Sequence, residues 1–267
     1  MSEKQDYFIE TERRQSPSAA VVHETIFKEA ESELKRSSTA LFWSGFAAGL
    51  TMTLSMITEG LLHTYLPEAD WRPLVANFGY SIGFLAIILA RQQLFTENTL
   101  TPILPLLHRK DMKTFKNVLR LWGVVLVANL LGVFLVSWIA AKSSAFEPEV
   151  QEAFIALGTK AMEPDFFTIL LRGIFAGWLI ALMVWLLPFA ETARVWVIII
   201  ITWIVGIAEL SHVIAGSSET FMLAFSGAAS WGEVLGGYLL PALIGNILGG
   251  VILVAVLNHA QVKGSDG

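Results

Sequence analysis

The stretch "GIAELSHVIAGSSETF" at residues 206–221 places an imidazole and two carboxylates inside one of the most apolar regions of the chain. Glu209, His212 and Glu219 are surrounded by segments built mainly from Ile, Val, Trp and Leu. A second polar interruption, "ARQQLFTENTL" at residues 90–100, lies in another apolar segment. Ionisable groups in such surroundings are rare and usually functional, so the fold has to account for both interruptions.

The composition identifies an integral membrane protein. Of 267 residues, 54% are hydrophobic and 15% are charged, whereas a typical soluble domain has about 25% charged residues. Several apolar runs reach the roughly 20 residues that a helix needs to cross a bilayer. The net charge of −5 gives no indication of nucleic-acid binding. The absence of Cys excludes disulfides and thiolate metal sites.

Six apolar segments predict an all-α protein with six transmembrane helices. They cover the approximate ranges 41–62, 74–107, 119–141, 167–188, 194–226 and 233–257. The second and fifth are overlong, and they contain the two polar interruptions. The prediction divides the chain into a cytoplasmic N-terminal segment (1–40), a six-helix transmembrane domain (41–258) and a cytoplasmic tail (259–267).

The N-terminal segment predicts an amphipathic helix, because Val22, Ile26, Ala30 and Leu34 recur at intervals of four residues. Lys and Arg in short loops favour the cytoplasmic side of a membrane. The segment before the first span is basic near its end, and so is the loop "HRKDMKTFKNVLR" after the second span. The loop after the third span is mostly acidic. Both termini are therefore predicted to lie in the cytoplasm.

Spans 1–3 and spans 4–6 carry the same motifs in the same order. "SGFAAG" in span one matches "RGIFAG" in span four, and "NLLG" from Asn129 in span three matches "NILG" from Asn246 in span six. Three spans per half is an odd number, so the halves must lie upside down relative to each other, which is an inverted repeat. The two interruptions then occupy matching positions, and unpaired backbone at membrane depth is tolerated only inside protein or beside a water-filled cavity.

Residues 40–258 resemble the formate–nitrite transporter family. The resemblance is carried by "QLFTENT" at 93–99, Lys160 ahead of "RGIFAGWLIALMVW", "ELSHVIAGSS" at 209–218 and "GNILGG" at 245–250. It implies an aquaporin-like protomer in the bacterial inner membrane, assembled as a homopentamer, with one pore for a small anion through each protomer.

The resemblance also implies the pore residues. Thr96 corresponds to the polar residue contributed by the first break, His212 to the central His of the second break, and Lys160 to a Lys near the start of span four. Hydrophobic constrictions on either side of the His align with Tyr80, Phe84, Leu94, Ile180 and Val205.

The chain departs from the family pattern at several pore positions. Ser211 stands where the family commonly has Glu, and Gly216 and Gly177 stand where it has Asn. The breaks also carry charges that formate channels generally lack there, at Arg91, Glu97 and Glu209. The chain is therefore similar to the divergent, inner-membrane branch of the family.

A central His suits the transport of a weak acid. A bare anion at the bilayer midplane costs several kcal/mol, and protonation removes most of that cost. His, with an unperturbed pKa of about 6.5, is the side chain best suited to supply the proton. Half-helices expected to start after Thr96 and after Ser217 would direct their positive dipole ends toward the break.

The remaining polar residues have structural interpretations. A buried ion pair of Arg91 with Glu59 or Glu209 is favoured, because charges at membrane depth almost always pair or line water. The alternative is that Arg91 binds the substrate and selects an anion larger or more polar than formate. Asn129 and Asn246 are predicted to pack the helices closely and to hold the broken segments.

The leading hypothesis is a passive or proton-linked channel for a small monovalent anion or its conjugate acid. One alternative is a pore for small neutral solutes in which His212 is structural. The other is a non-conducting scaffold or regulator whose N-terminal helix binds a partner. No Walker loop, His-Glu-x-x-His motif or Ser-His-Asp set is present, so no enzyme activity, cofactor or metal is expected. The expected partners are the lipid bilayer, further copies of the chain and the small anion, and no nucleic acid.

Overall fold

The regular structure of the chain is helical throughout the part that the computed structural model describes, residues 17–258 and 260–261. The N-terminal 16 residues of the predicted cytoplasmic segment, and most of the tail 259–267, lie outside the described residues. The helices are α1 (Ala19–Lys35), α2 (Ser38–Tyr65), α3 (Arg72–Ala76), α4 (Tyr80–Leu89), α5 (Ile103–Arg109), α6 (Met112–Lys142), α7 (Pro148–Met162), α8 (Phe166–Leu186), α9 (Arg194–Ile207), α10 (Val213–Ser226) and α11 (Trp231–Val256).

Five segments of the described chain are long and apolar enough to cross a membrane: Ser38–Tyr65, Arg72–Leu89, Met112–Lys142, Phe166–Phe189 and Trp231–Val256. The predicted fifth span is instead divided into α9 and α10, which have 14 residues each. Neither reaches the length of about 20 residues that crosses a bilayer. Large apolar side chains are exposed on the outside of the molecule, as expected for a surface that faces lipid.

Helix α7 lies in the mostly acidic loop that the sequence predicts after the third span. Its start is favoured by Pro148 in the first turn. One face, with Val150, Phe154 and Gly158, is buried against α2 and α10, while its other face carries the acidic residues. The acidic composition concealed a short amphipathic helix. This helix positions Lys160, which lies in its last turn.

Helix α1 lies within the predicted N-terminal segment. The hydroxyl of Ser18 caps it by accepting a hydrogen bond from the backbone of Val21. Ile26, Ala30 and Leu34 are buried against the rest of the protein, and Val22, the fourth residue of the predicted spacing, is partly buried. The helix therefore covers one end of the transmembrane bundle.

Glu33 connects α1 to the first break. Its carboxylate accepts hydrogen bonds from the Gln93 side chain at 3.1 Å and from the Thr101 hydroxyl at 2.9 Å. Burial raises the pKa of Glu33 above its usual 4.5, and these two hydrogen bonds offset part of the rise. A raised pKa means that docked α1 holds this proton more tightly than a free helix does. Docking is therefore most favourable in acid, and it weakens as the pH rises from 4.5 through the raised value.

We expect Glu33→Gln to remove this pH dependence, because Gln keeps an acceptor and carries no titratable proton. Hydrogen exchange of the α1 amides, corrected for intrinsic rates, measures docking between about pH 5 and pH 8. Opening should rise more steeply with pH in the wild type than in the variant. The slope that remains in the variant includes the opposite contribution of His23, whose pKa is lowered by burial. Glu24→Gln, on the exposed part of the same helix, is the matched control and should follow the wild type. Parallel profiles for wild type and Glu33→Gln would contradict the role of Glu33.

A fully buried asparagine on α6, Asn129, holds the first break to α2. Its amide nitrogen donates to the carbonyl of Gly45 at 2.7 Å and to that of Gln93 at 2.9 Å. Its side-chain oxygen accepts the backbone N–H of Phe95 at 2.8 Å. Two backbone groups left unpaired by the interruption, the carbonyl of Gln93 and the N–H of Phe95, are thus satisfied by one side chain, which also binds α2.

Asn246 on α11 does the same for the second break. Its amide nitrogen donates to the carbonyl of Gly173 at 2.9 Å and to that of Ser211 at 2.8 Å. Its side-chain oxygen accepts the backbone N–H of Val213 at 2.8 Å. The two asparagines therefore make equivalent contacts, each to one helix and to both sides of one break.

The repeated glycines allow these asparagine contacts. A side chain on Gly49 would collide with the backbone of Asn129, and one on Gly177 would collide with the backbone of Asn246. Close approach of α2 to α6, and of α8 to α11, brings each asparagine within hydrogen-bonding distance of its break. This explains why the Gly-x-x-Ala-Gly and Asn-x-x-Gly motifs occur in both halves of the chain.

Candidate functional site

Both breaks turn at a residue with left-handed backbone. Arg91 has φ of 53° just after α4, and Glu209 has φ of 52° just after α9. Residues other than Gly rarely adopt this conformation, and it costs about 1–3 kcal/mol. After each turn the chain continues without α-helix to Thr96 in the first break and to His212 in the second.

The structure brings Thr96 and His212 together. The Thr96 hydroxyl oxygen lies 2.7 Å from Nε2 of His212, and both residues are completely buried. Nδ1 of His212 accepts the backbone N–H of Ala215 at 3.1 Å. An accepting nitrogen carries no proton, so the ring is neutral, and Nε2–H donates to the Thr96 hydroxyl. The hydrogen of that hydroxyl has no acceptor among the described residues.

His212 is also the N-cap of α10, which corrects one expectation. The second half-helix starts at Val213, not after Ser217. Ser217 lies inside α10, where its hydroxyl donates to the carbonyl of Val213. An imidazole can cap a helix through Nδ1, a role that sequence patterns assign to shorter polar side chains.

Apolar side chains surround this polar pair. The rings of Phe84 and His212 lie edge to face with centroids 4.9 Å apart, and Tyr80 lies against Phe84 with centroids 5.4 Å apart. The other three residues expected at constrictions, Leu94, Ile180 and Val205, are completely buried in the same apolar core. The Thr96–His212 contact is therefore the polar centre of an otherwise apolar layer.

A cavity of about 220 Å³, here called the Lys160 cavity, lies on the His212 side of this layer. Ion pairs join Lys160 Nζ to Glu209 Oε1 at 2.7 Å and Arg172 Nη1 to Glu209 Oε2 at 3.4 Å. Ser211 also lines it. All three charged side chains are partly exposed, so these pairs contribute little to stability. They set the charge of the cavity instead.

Two further carboxyl groups lie in the wall of the Lys160 cavity. Glu59 on α2 and Glu219 on α10 are both buried, and they interact electrostatically with each other and with Lys160. Tyr238 on α11 is close to them, and its hydroxyl donates to the carbonyl of His212 at 3.3 Å. A side chain on Gly216 would collide with this hydroxyl. Tyr238 thus fills the space beside Gly216.

Sequence reasoning missed Tyr238 and Arg172 as site residues. Tyr238 lies in the sixth apolar segment, which has no polar interruption, and Arg172 lies in a repeat motif that indicated only helix packing. The position of Arg172, directly before the Gly-x-x-Ala-Gly motif that begins at Gly173, was nevertheless a usable signal. A cation directly before the Gly-x-x-Ala-Gly motif lies on the helix that packs against the second break.

A second cavity of about 330 Å³, here called the arginine cavity, lies beside the first break. Arg36, Arg91 and Arg194 line it together with Glu29, Glu33, Gln92, Gln93 and Glu97. The favoured pair of Arg91 with Glu59 or Glu209 is not formed in the described structure. Glu209 pairs with Lys160 and Arg172, and Glu59 lines the Lys160 cavity. Arg91 lines the other cavity, so the two expected carboxylate partners are out of its reach.

The comparisons with known proteins agree with this architecture. The family model for the formate/nitrite transporter matches residues 20–260. Inner membrane protein YfdC of Escherichia coli is 39% identical over 96% of this chain and 83% of its own length. Formate channel FocA of Haemophilus influenzae is 22% identical over 83% of this chain and 86% of its own length.

Two solved structures have the same fold. An ion channel of the FNT family has a TM-score of 0.80 at 18% identity, covering 91% of this chain and 99% of that one. A pentameric formate channel with formate bound has a TM-score of 0.72 at 18% identity, covering 85% of this chain and 98% of that one. With the matched family model, the helical architecture and the two held breaks, the chain belongs to the formate/nitrite transporter family.

Proposed function

We propose that the protein is a membrane channel for a small monovalent anion or its conjugate weak acid. The observation that carries the proposal is the buried Thr96–His212 hydrogen bond inside an apolar layer, with a cation-bearing cavity beside each break. Membership of a family of channels and transporters supports it. The test is uptake of formate, nitrite, acetate, lactate and bicarbonate into proteoliposomes. Flux that rises with acidity supports the proposal, and the absence of flux from a well-folded oligomer contradicts it.

In this mechanism His212 acts first as a hydrogen-bond donor. An anion that reaches the apolar layer loses water and needs donors, and the two available are Nε2–H of His212 and the hydroxyl of Thr96. Proton linkage requires that the ring take up a proton at Nδ1, which breaks its hydrogen bond to Ala215. The lost cap costs about 1 kcal/mol. Proton uptake at His212 is therefore coupled to the start of α10.

We infer that the chain has six spans arranged as an inverted repeat. The equivalent contacts of Asn129 and Asn246, the matching left-handed turns at Arg91 and Glu209, and the paired Gly-x-x-Ala-Gly motifs support this. In such a repeat α9 and α10 together form the fifth span. Arg91 and Glu209 then occupy equivalent places in oppositely oriented halves, which accounts for their separation into two cavities.

The assembly and orientation follow from the family likeness and the charge distribution. We propose a homopentamer in a bacterial inner membrane, because one similar solved structure is a pentamer and one relative is an inner membrane protein. The basic connection from α5 to α6 supports a cytoplasmic position for α1 and the arginine cavity. The division into cytoplasmic residues 1–40, transmembrane residues 41–258 and a cytoplasmic tail 259–267 is part of the same proposal.

Glu209→Gln is expected to increase anion flux at low salt. The change removes the carboxylate that neutralises Lys160 and Arg172, so the cavity becomes more positive and concentrates anions. A rise of about two- to fivefold is expected at low ionic strength, shrinking toward physiological salt as screening takes over. Glu163→Gln, a charge change of the same size near the end of α7, is the control and should have little effect. Equal flux for Glu209→Gln and wild type at low salt would show that Lys160 and Arg172 do not attract the permeating species.

A further inference from the structure

Three guanidinium groups line the arginine cavity without an ion-pair partner among the described residues. Arg36 follows α1, Arg91 lies at the turn of the first break, and Arg194 starts α9. The ion pairs found in residues 17–258 and 260–261 involve other cations. The side chain of Arg194 donates one hydrogen bond, to the carbonyl of Leu187 at 3.3 Å. Glu29, Glu33 and Glu97 line the same cavity, and Glu33 interacts electrostatically with Arg36. Arg91 and Arg194 form no ion pair among the described residues, so these two guanidinium groups can bind an anion.

Buried polar atoms without partners occur in the same place. Oε1 of Gln92, Oε1 of Glu97 and Nε of Arg194 are buried without a hydrogen bond in the described structure, and all three residues line the arginine cavity. Buried polar groups are nearly always hydrogen-bonded, because leaving such an atom unpaired is unfavourable. Two of the atoms are acceptors and one is a donor. A molecule that both accepts and donates hydrogen bonds can satisfy all three atoms.

The cavity has room for a ligand larger than formate. Its 330 Å³ is many times the volume of about 30 Å³ that one water occupies. It lies in the range of about 300–1,000 Å³ typical of small-molecule sites. A ligand that satisfies the arginines and also reaches Gln92 and Glu97 must be larger than a single carboxylate group.

We propose that the arginine cavity binds a small carboxylate that carries a second, hydrogen-bond-donating group, either a hydroxyl or an ammonium. Arg91 and Arg194 bind the carboxylate, because a planar guanidinium can donate two parallel hydrogen bonds to it. The donor group of the ligand reaches Oε1 of Gln92 and the carboxylate of Glu97. This inference names a substrate class for the proposed channel, so its relevance to transport rests on the proposed function. Binding at the cavity can be measured without transport.

The experiment is isothermal titration of the purified, full-length oligomer in detergent. The probes are glycolate, glycine, acetate and ethylene glycol. Acetate matches glycolate without the hydroxyl, and ethylene glycol has hydroxyls without the charge. Glycolate or glycine is expected to bind at least about tenfold more tightly than acetate, since one buried hydrogen bond is worth about 1.5 kcal/mol. Glycolate binding with little glycine binding identifies a hydroxyl ligand, and the reverse identifies an ammonium ligand.

Variants assign the binding to this cavity. Arg91→Gln and Arg194→Gln should each weaken the preferred probe about tenfold or more, and Gln92→Leu should reduce its advantage over acetate. Arg72→Gln removes a guanidinium that lines neither of these two cavities, so it is the matched control and should bind as the wild type does. Arg91→Lys, which keeps the charge and loses the planar fork, provides a second readout if Arg91→Gln unfolds.

His212→Asn separates this inference from the proposed channel function. If His212→Asn binds the preferred probe as tightly as the wild type does but shows altered flux, the arginine cavity is supported as the binding site and transport depends on His212. Equal affinity for glycolate, glycine and acetate would overturn the inference, as would wild-type affinity in Arg91→Gln and Arg194→Gln together. Either of those results leaves the channel proposal standing, because flux of formate or nitrite is measured independently.

Discussion

His212→Phe is expected to reduce acid-dependent anion flux by about tenfold to a hundredfold. The ring of Phe can fill the space beside Phe84, but it offers no N–H to an anion in the apolar layer. A hydrogen bond to a charged group is worth about 1.5–3 kcal/mol, which corresponds to this range of rates. Uptake into proteoliposomes between about pH 5 and pH 8 measures the effect across the range where an unperturbed His titrates.

His212→Asn is the matched variant, because it separates capping from titration. Asn is among the best helix N-caps, so it can replace Nδ1 of His212 as acceptor for the N–H of Ala215. It cannot take up a proton at the pH of the experiment. We therefore expect a normally assembled protein in which any remaining flux no longer rises with acidity. His212→Phe loses the cap as well, which costs about 0.5–2 kcal/mol of stability.

The flux measurements on these variants distinguish the anion channel, the neutral-solute pore and the scaffold. Flux that keeps its acid dependence in His212→Asn would contradict proton linkage through His212. Neutral-solute flux that survives in His212→Phe, with no anion flux in the wild type, would support a pore for neutral solutes with a structural His212. An assembled wild-type protein that conducts neither would favour a scaffold. Melting temperatures of all three proteins distinguish lost function from lost structure.

The second large effect is expected for Asn246→Leu. Leu has the same number and branching of side-chain heavy atoms, but it leaves the N–H of Val213 and the carbonyl of Ser211 unpaired and loses the contact to Gly173 on α8. Each buried, unpaired group costs about 1–3 kcal/mol, and two of them are a large part of the stability of a typical domain, about 5–15 kcal/mol. We expect a protein that fails to assemble or that melts far below the wild type. Size-exclusion chromatography and thermal unfolding in detergent measure both outcomes.

Asn129→Leu should have an effect of similar size, because Asn129 makes the equivalent three hydrogen bonds at the other break. Ser137→Ala is the matched control. It removes a single hydrogen bond, from the Ser137 hydroxyl to the carbonyl of Ser218, and should cost about 1 kcal/mol. If Asn246→Leu melts like Ser137→Ala, water or a rearranged backbone satisfies the break, and the asparagine is not what holds it. Strongly unequal effects of the two asparagines would count against the inverted repeat.

Much of the architecture could be predicted from the sequence because it depends on local features, namely hydrophobicity and residue spacing. Apolar run length indicates membrane-spanning helices, four-residue spacing indicated the packed face of α1, and repeated glycines indicated close helix contacts. Asn129 and Asn246 each hydrogen-bond both sides of one break. Polar residues in an apolar run pointed to the breaks themselves, because unpaired backbone in a membrane must be satisfied nearby.

The extents of α7 and α10 were harder to predict from the sequence. An acidic outer face concealed α7, and a His in the capping position moved the start of α10 to Val213. Both errors have the same origin. Local composition indicates how a segment interacts with solvent, whereas a helix that is half buried, or capped by an unusual side chain, depends on the elements that pack against it.

The sequence by itself determined that the chain crosses a membrane, where it is interrupted and which polar side chains lie at the interruptions. Only the tertiary structure decided which of those side chains meet. Thr96 contacts His212 across 116 residues of chain, Glu209 pairs with Lys160 and Arg172, and Arg91 lies in a separate cavity. Helix formation and membrane insertion depend on hydrophobicity and spacing, which are local. The partner of a charge depends on distances between helices remote in sequence, because electrostatic attraction falls with separation in space whatever the order of the chain.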